Sequence, residues 1–336
     1  MPSTSSPPAT TTSPAASPVV QESLPLGIVV KDFLIDGGPT YSVSLIGLDG
    51  RVVATATAAK RNNAHTLVQM PNISASNSRL YYLDGESKVM FLRPDGTTGL
   101  STTLTVDAGS SAVFAVSPDD KRIAVAILTF PYPAKTRIYV EDLAGGGNHV
   151  ELFSSTTVIE WPVGWHDGHL VIAAGINAQP QNAWDGFVYG VDGYHVADAA
   201  TGVRLATVCG GGYEASQPPV PAGTVCVRYP NYEVSDWTGA TRPAPHDAGC
   251  GGGALSPDGS LIADCQGNPR MATLVARDGS TKPTSFPADQ LGWIDSNHVV
   301  VQQTWDSSIG ILDIRTMTLT PAQAHGFYAG AIPGTL

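Results

Sequence analysis

Short apolar runs divided by turn residues fill this chain from about residue 27 to residue 333, and none carries the period of a long helix. Apolar positions alternate or form brief continuous stretches, as in Arg122-Ile123-Ala124-Val125-Ala126-Ile127 and His298-Val299-Val300-Val301. Such runs predict β-strands. Seven of them close on an Asp: Asp49, Asp95, Asp142, Asp198, Asp236, Asp278 and Asp313. Six of the seven are followed within four residues by Gly, and the intervals run from 35 to 56 residues. A recurrence of that length, with strands on either side of each turn, predicts a radial or stacked repeat. Residues 27–333 divided by seven give about 44 residues per unit, which suits four-stranded blades. The expected fold is all-β: a seven-bladed β-propeller.

Blade one is expected from Gly27–Asp36, Thr40–Leu48 and Val52–Ala58, and is one strand short. The apolar stretch His325–Ile332 follows the last Asp turn without a partner of its own. Pairing it with the first blade closes the ring and removes exposed sheet edges. Blades two, three and four are placed at 64–106, 111–154 and 157–208, and blades five, six and seven at 209–248, 249–287 and 288–322. Residues 1–24 are expected to be a tether and 25–336 a single propeller domain. A second repeat supports this frame. Phe114-Ala-Val-Ser-Pro-Asp119-Asp-Lys-Arg-Ile123-Ala aligns with Ala254-Leu-Ser-Pro-Asp258-Gly-Ser-Leu-Ile262-Ala, and Val163-Gly-Trp165-His-Asp167-Gly-His169 with Leu291-Gly-Trp293-Ile-Asp295-Ser-Asn-His298. All four read as turns between the first and second strands of a blade. The Ser-Pro-Asp-Gly/Asp-x-x-Ile-Ala form resembles the repeat of TolB-like propellers, relatives of the WD-repeat propellers. That resemblance implies an exported bacterial propeller that often binds partners, on a fold that enzymes share. It rests on turn motifs in several blades, and the Gly-His and Trp-Asp signature of true WD repeats is missing from the blade ends.

Composition narrows the partners. Eighteen Lys and Arg stand against 29 Asp and Glu, a net charge of −11, so clustered phosphate-neutralising cations are lacking and nucleic acid is disfavoured. No apolar run has the length of a membrane span. From Met1 to Pro18 the chain is uncharged and rich in Ser, Thr, Pro and Ala, a composition that buries no core and reads as a flexible tether. The chain is expected to start just after a removed signal or lipoprotein anchor, which makes it secreted or envelope-anchored, and to be monomeric. Four cysteines agree with export. Cys209-Gly-Gly-Gly and Cys250-Gly-Gly-Gly recur 41 residues apart, and their followers Cys226 and Cys265 recur 39 apart. Hairpin pairing of Cys209 with Cys226 and of Cys250 with Cys265 is expected, the second across a turn centred on Pro257 and Asp258. These bridges would stiffen blades five and six.

Chemistry is sparse. His166-x-x-His169 looks like a metal pair, yet Trp165 and His169 align with Trp293 and His298, so these read as recurring turn positions. There is no Gly-x-Ser-x-Gly elbow, P-loop or dinucleotide fingerprint. What remains is the set of loops joining second to third strands, which propellers gather on one face. Here those loops hold Tyr132, Trp184, Asp185, Tyr229, Tyr232, Trp305 and Asp306. Aromatic faces beside carboxylates suit a protein, peptide or glycan ligand. Asp36, Asp84, Asp185 and Asp306 could together hold Ca2+ at the channel mouth, and no other cofactor is indicated. The expected function is a secreted or envelope-tethered, non-catalytic binding propeller. The alternative is a propeller enzyme, such as a lactonase, polysaccharide lyase or metal-dependent hydrolase, with its site at the central channel.

Overall fold

The computed structural model describes residues 25–32, 38–61, 73–129, 135–175, 191–210, 214–215, 219–228, 231–244, 253–303, 307–334 and 336. The tether, residues 1–24, lies outside them. The described residues form 28 strands and no helix, arranged as seven four-stranded antiparallel blades. In blade two the order from first to fourth strand is Ile73–Ala75, Leu80–Asp84, Lys88–Leu92, Thr98–Thr103. First strands of neighbouring blades touch around the axis, as Ser110–Val116 of blade three does with Glu160–His166 of blade four. Blades four and five share one continuous sheet through the pair Val191 and Ala215.

Blade one is assembled from both ends of the chain. Phe327–Ile332 supplies its innermost strand and runs antiparallel to Leu26–Lys31, with Leu26 opposite Ile332. The expected strand Gly27–Asp36 stops at Lys31, because Asp32 takes a left-handed backbone (φ 61°).

Hydrophobic cores lie between blades, so most inner strands are buried on both faces. In Arg122–Thr129, Ile123, Val125 and Ile127 pack toward blade two, while Ala124, Ala126 and Leu128 pack toward blade four. The alternation legible in this stretch is therefore mostly large against small rather than inside against outside. Each fully buried branched side chain contributes roughly 1.5–3 kcal/mol, and both flanks of a blade collect it. Outer strands show the simpler pattern: Val52–Ala59 alternates exposed and buried residues.

Every Asp of the repeat sits in the outer hairpin, between the third and fourth strands. In six of them the carboxylate accepts the backbone N–H two residues on, at 2.8–3.1 Å. Asp142 instead accepts from Asn148 Nδ2 at 2.8 Å. Six of these turns place glycine in the left-handed region, Gly50 at φ 76° for one. In the seventh that conformation falls to Met317, at φ 56°.

The aligned tryptophans join blades. Trp165 Nε1 donates to the Ala115 carbonyl at 3.2 Å, and Trp293 Nε1 to the Ala254 carbonyl at 2.8 Å. Each reaches from the first strand of its own blade to the first strand of the preceding one.

Cys209 and Cys226 form a disulfide, but not across a blade-five hairpin. Cys209 follows Arg204–Val208, the outer strand of blade four, and Cys226 lies in Thr224–Arg228, the second strand of blade five. The bridge therefore staples the junction between two blades. The first strand of blade five is only Glu214–Ala215, and it is Ala215 that faces Cys226. Cys265 is also disulfide-bonded, and Cys250 lies outside the described residues, so that pairing stands as an expectation. The hairpin before Cys265 pairs Ala254 with Ala263 and is thus centred on Asp258 and Gly259, one residue later than expected. The Ser256 hydroxyl holds the wider turn by accepting from the Leu261 amide at 2.9 Å.

Candidate functional site

The connections from second to third strands emerge on one face, together with the passages from blade to blade. This is the loop face; the hairpins carrying the repeats form the opposite turn face. Of the residues expected to make a site, Tyr132, Trp184, Asp185, Tyr229, Trp305, Asp306 and Asp36 lie outside the described residues. Tyr232 lies in Asn231–Ser235, half-buried, with its carbonyl accepting from the Ala244 amide at 2.9 Å. Asp84 ends the second strand of blade two, and its Oδ1 accepts the Ala59 amide at 2.7 Å. One of its oxygens is thus engaged in joining blade one to blade two. Among the described residues no group of three or more His, Cys, Asp or Glu converges as a metal site.

A polar seam lies between blades three and four at their loop-face ends. Glu160, which opens the first strand of blade four, is only 4% exposed. Its Oε1 lies 3.4 Å from Arg204 Nη2 and 3.9 Å from His195 Nδ1, too far in the second case for a hydrogen bond. Its amide donates to Thr136 Oγ1 of blade three at 3.4 Å. Burial pushes the Glu160 carboxyl above the usual carboxylate range, with Arg204 pulling it back. Burial, then Arg204, pushes His195 down to about 4, so the imidazole is neutral at pH 7.

Register brings a fifth residue onto this seam. Ser111 pairs with Leu128, and Leu128 pairs with Thr136. Residues directly opposite in a sheet share a face, and Leu128 packs toward blade four, so Ser111 and Thr136 face that way too. Four buried side-chain polar atoms in the described residues lack a hydrogen-bond partner: Glu160 Oε2, Ser111 Oγ, Arg61 Nη1 and Arg79 Nε. Arg79 Nε, on the turn face, still has Asp120 Oδ2 at 3.4 Å. The other three belong to residues at the loop-face ends of blades one, three and four. Arg61, just beyond the outer strand of blade one, donates through Nη2 to the Ala112 carbonyl of blade three at 2.5 Å and leaves Nη1 buried. Burial lowers its guanidinium pKa against the opposing pull of Glu86 and Tyr41.

Chemically, the seam offers an acceptor at Glu160 Oε2, a hydroxyl at Ser111 and a neutral imidazole, with a guanidinium arm nearby. None of these four residues is evident from local motifs, because they are distant in sequence and meet only through strand register. The available signal is a carboxylate heading the otherwise apolar run Glu160-Trp-Pro-Val-Gly-Trp165.

No family model matches the chain, and no curated relative matches it. Solved structures similar to it include apo AztD of Citrobacter koseri, at 13% identity and TM-score 0.50, covering 92% of this chain and 97% of that one. TolB of Acinetobacter baumannii is similar at 13% identity and TM-score 0.42, over 93% of this chain and 66% of TolB. The periplasmic gluconolactonase PpgL of Pseudomonas aeruginosa is similar at 12% identity and TM-score 0.48, over 93% and 97%. Likeness at such identities concerns the fold alone: the chain shares the β-propeller fold, as its own strand order shows. That shared fold does not divide binding from catalysis.

Proposed function

We propose that this chain is an extracytoplasmic, non-catalytic binding propeller that holds a protein, peptide or glycan on its loop face. One observation carries the reading: three of the four unpartnered buried polar atoms among the described residues belong to residues at the loop-face ends of blades one, three and four. Burying a polar group without a partner costs about 1–3 kcal/mol, and a ligand supplying the missing donors and acceptors offsets that cost. Aromatic and acidic residues of the sequence stretches between second and third strands, Trp184-Asp185 and Trp305-Asp306 above all, would supply flat contact area and direction. The Cys209–Cys226 disulfide supports an oxidising compartment. Anchoring through a removed signal or lipid belongs to the same proposal.

Peptide and glycan arrays probed with the whole chain, followed by calorimetric titration of the best binders, test the reading. Trp184→Ala and Trp305→Ala are expected to weaken such binding at least tenfold. If both leave it unchanged, the site is misplaced. Glu160 and His195 give the enzyme alternative its one specific foothold, since paired groups with opposed pKa shifts are a feature of acid–base sites. Turnover of a lactone or polysaccharide that Glu160→Gln abolishes, with the fold intact, would establish that alternative instead.

A further inference from the structure

The segment that follows the closing strand does not leave the ring. After Phe327–Ile332 completes blade one, the Gly334 amide donates to the Ser76 carbonyl of blade two at 3.0 Å. The Leu336 amide then donates to the Trp165 carbonyl of blade four at 3.0 Å, and His166 Nδ1 meets the Leu336 main-chain oxygen at 2.7 Å. Ser76, Trp165 and His166 all stand at the turn-face ends of first strands, so the segment draws a chord from blade one past blade two to blade four across the turn-face rim.

The seat is shaped for this occupant. A Cβ on Gly164 would come within 2.5 Å of Leu336 Cδ1, and one on Gly334 within 2.3 Å of the Ala75 carbonyl oxygen. The Leu336 side chain packs against the core cluster that contains Trp165. Recognition thus combines two main-chain amides from the segment, two carbonyls and an imidazole from the ring, a Gly-sized gap and an apolar contact. These are the elements by which proteins hold short extended peptides.

We propose that the turn face carries a peptide-binding socket, built by Ala75, Ser76, Gly164, Trp165 and His166 and filled in cis by the chain's own Gly334 and Leu336. Its ligand class is an extended peptide with Gly followed two residues later by Leu. Tethering makes the cis segment a strong competitor, because a short linker raises its effective concentration to about the millimolar range. The inference is independent of what the loop face binds.

Hydrogen–deuterium exchange on the full chain tests the occupancy, and a fluorescein-labelled Ala-Ile-Pro-Gly-Thr-Leu peptide tests the socket. In the unmodified chain the 333–336 segment is expected to exchange at least tenfold more slowly than the free peptide. Leu336→Asp is expected to release it and let the added peptide bind, whereas the unmodified chain binds the peptide at least tenfold more weakly. Gly164→Val, which fills the gap, is expected to release the segment and bind no peptide. Free-peptide exchange rates in the unmodified chain, or failure of the peptide to bind the released Leu336→Asp chain, overturn the proposal. So does a Leu336→Asp chain whose segment stays protected. Loss of loop-face binding in none of these variants keeps this test separate from that of the proposed function.

Discussion

On the turn face, blades three and six solve one problem with one set of bonds. Ser117 and Ser256 each donate to the Asp two residues on at 2.7 Å, and each hydroxyl accepts the amide five residues on at 2.9 Å. Outer hairpins likewise reuse the Asp carboxylate, and Trp165 and Trp293 repeat the same bond between blades. Among the described residues of the loop face no such repetition holds. Blade one sends Arg61 across to blade three, blade two spends Asp84 on Ala59, and blade four buries Glu160 with His195. A surface whose bonds recur is shaped by the architecture. A surface whose polar groups are individual, and partly unpaired, is one that the architecture leaves free to vary.

The sharpest way to break this contrast is to remove the tryptophans. Trp165→Ala and Trp293→Ala are each expected to cost about 3–5 kcal/mol in denaturant titrations, since both rings are buried and each leaves a carbonyl without its donor. Losses that differ by more than twofold would show that the two positions are not one repeated part. Next come the turn glycines. Gly50 and Gly96 share a left-handed backbone, but a Cβ on Gly50 would meet the Pro321 carbonyl oxygen at 2.4 Å, while Gly96 faces open space. Gly96→Ala is expected to cost about 1–2 kcal/mol for the backbone alone, and Gly50→Ala distinctly more. Equal costs in thermal melts would refute the close approach.

Acid separates the faces in a third way. His195 has a folded pKa of about 4, below its usual value, so the unfolded chain takes the proton first. Its contribution to stability is complete above about pH 6.5 and is lost as pH falls toward 4. The turn-face carboxylates of Asp95, Asp198, Asp278 and Asp313 are also held below their usual range by hydrogen bonds, Asp313 at about 2. Their contribution is present above the usual carboxylate range and is lost only below it. Glu160 has the opposite sign: its raised pKa favours the fold at low pH and the benefit fades as pH rises through the folded value. His195→Asn is therefore expected to flatten the stability loss between about pH 6.5 and 4, and Glu160→Gln to steepen it. Melting temperatures across that window check both signs. The smallest effect is expected at Met317. Met317→Gly gives the seventh outer turn the residue the other six use and should stabilise by about 0.5–1 kcal/mol, unless side-chain packing of Met317 outweighs the relief.

Where the chain repeats, the sequence is readable. Seven Asp turns, the missing strand of blade one and the Trp/His register all follow from recurrence, because each turn must satisfy its own backbone locally. Strand alternation was less transparent. Ile123-Ala124-Val125-Ala126 reads as inside and outside, yet both flanks are buried, and only contact with two neighbouring blades distinguishes them. The Cys209–Cys226 bond was legible from cassette spacing, while its place at a blade junction depends on how short the first strand of blade five is. Least legible was the seam. Ser111, Thr136, Glu160, His195 and Arg204 come from two blades, and no local spacing announces a meeting that pairing register alone brings about.

The pairing of Leu26 with Ile332 also imposes an order in time. Blade one cannot be completed until all seven blades have been made, since its inner strand follows blade seven in the chain. Until then Ile28, Val29 and Val30 lack the strand that pairs with them, and the cluster that Val29 forms with blade seven is left at an open edge. Such long-range closure is slow and leaves apolar surface exposed meanwhile. Late closure therefore holds the ring open, and its two ends apart, for as long as the strand Phe327–Ile332 is still to come.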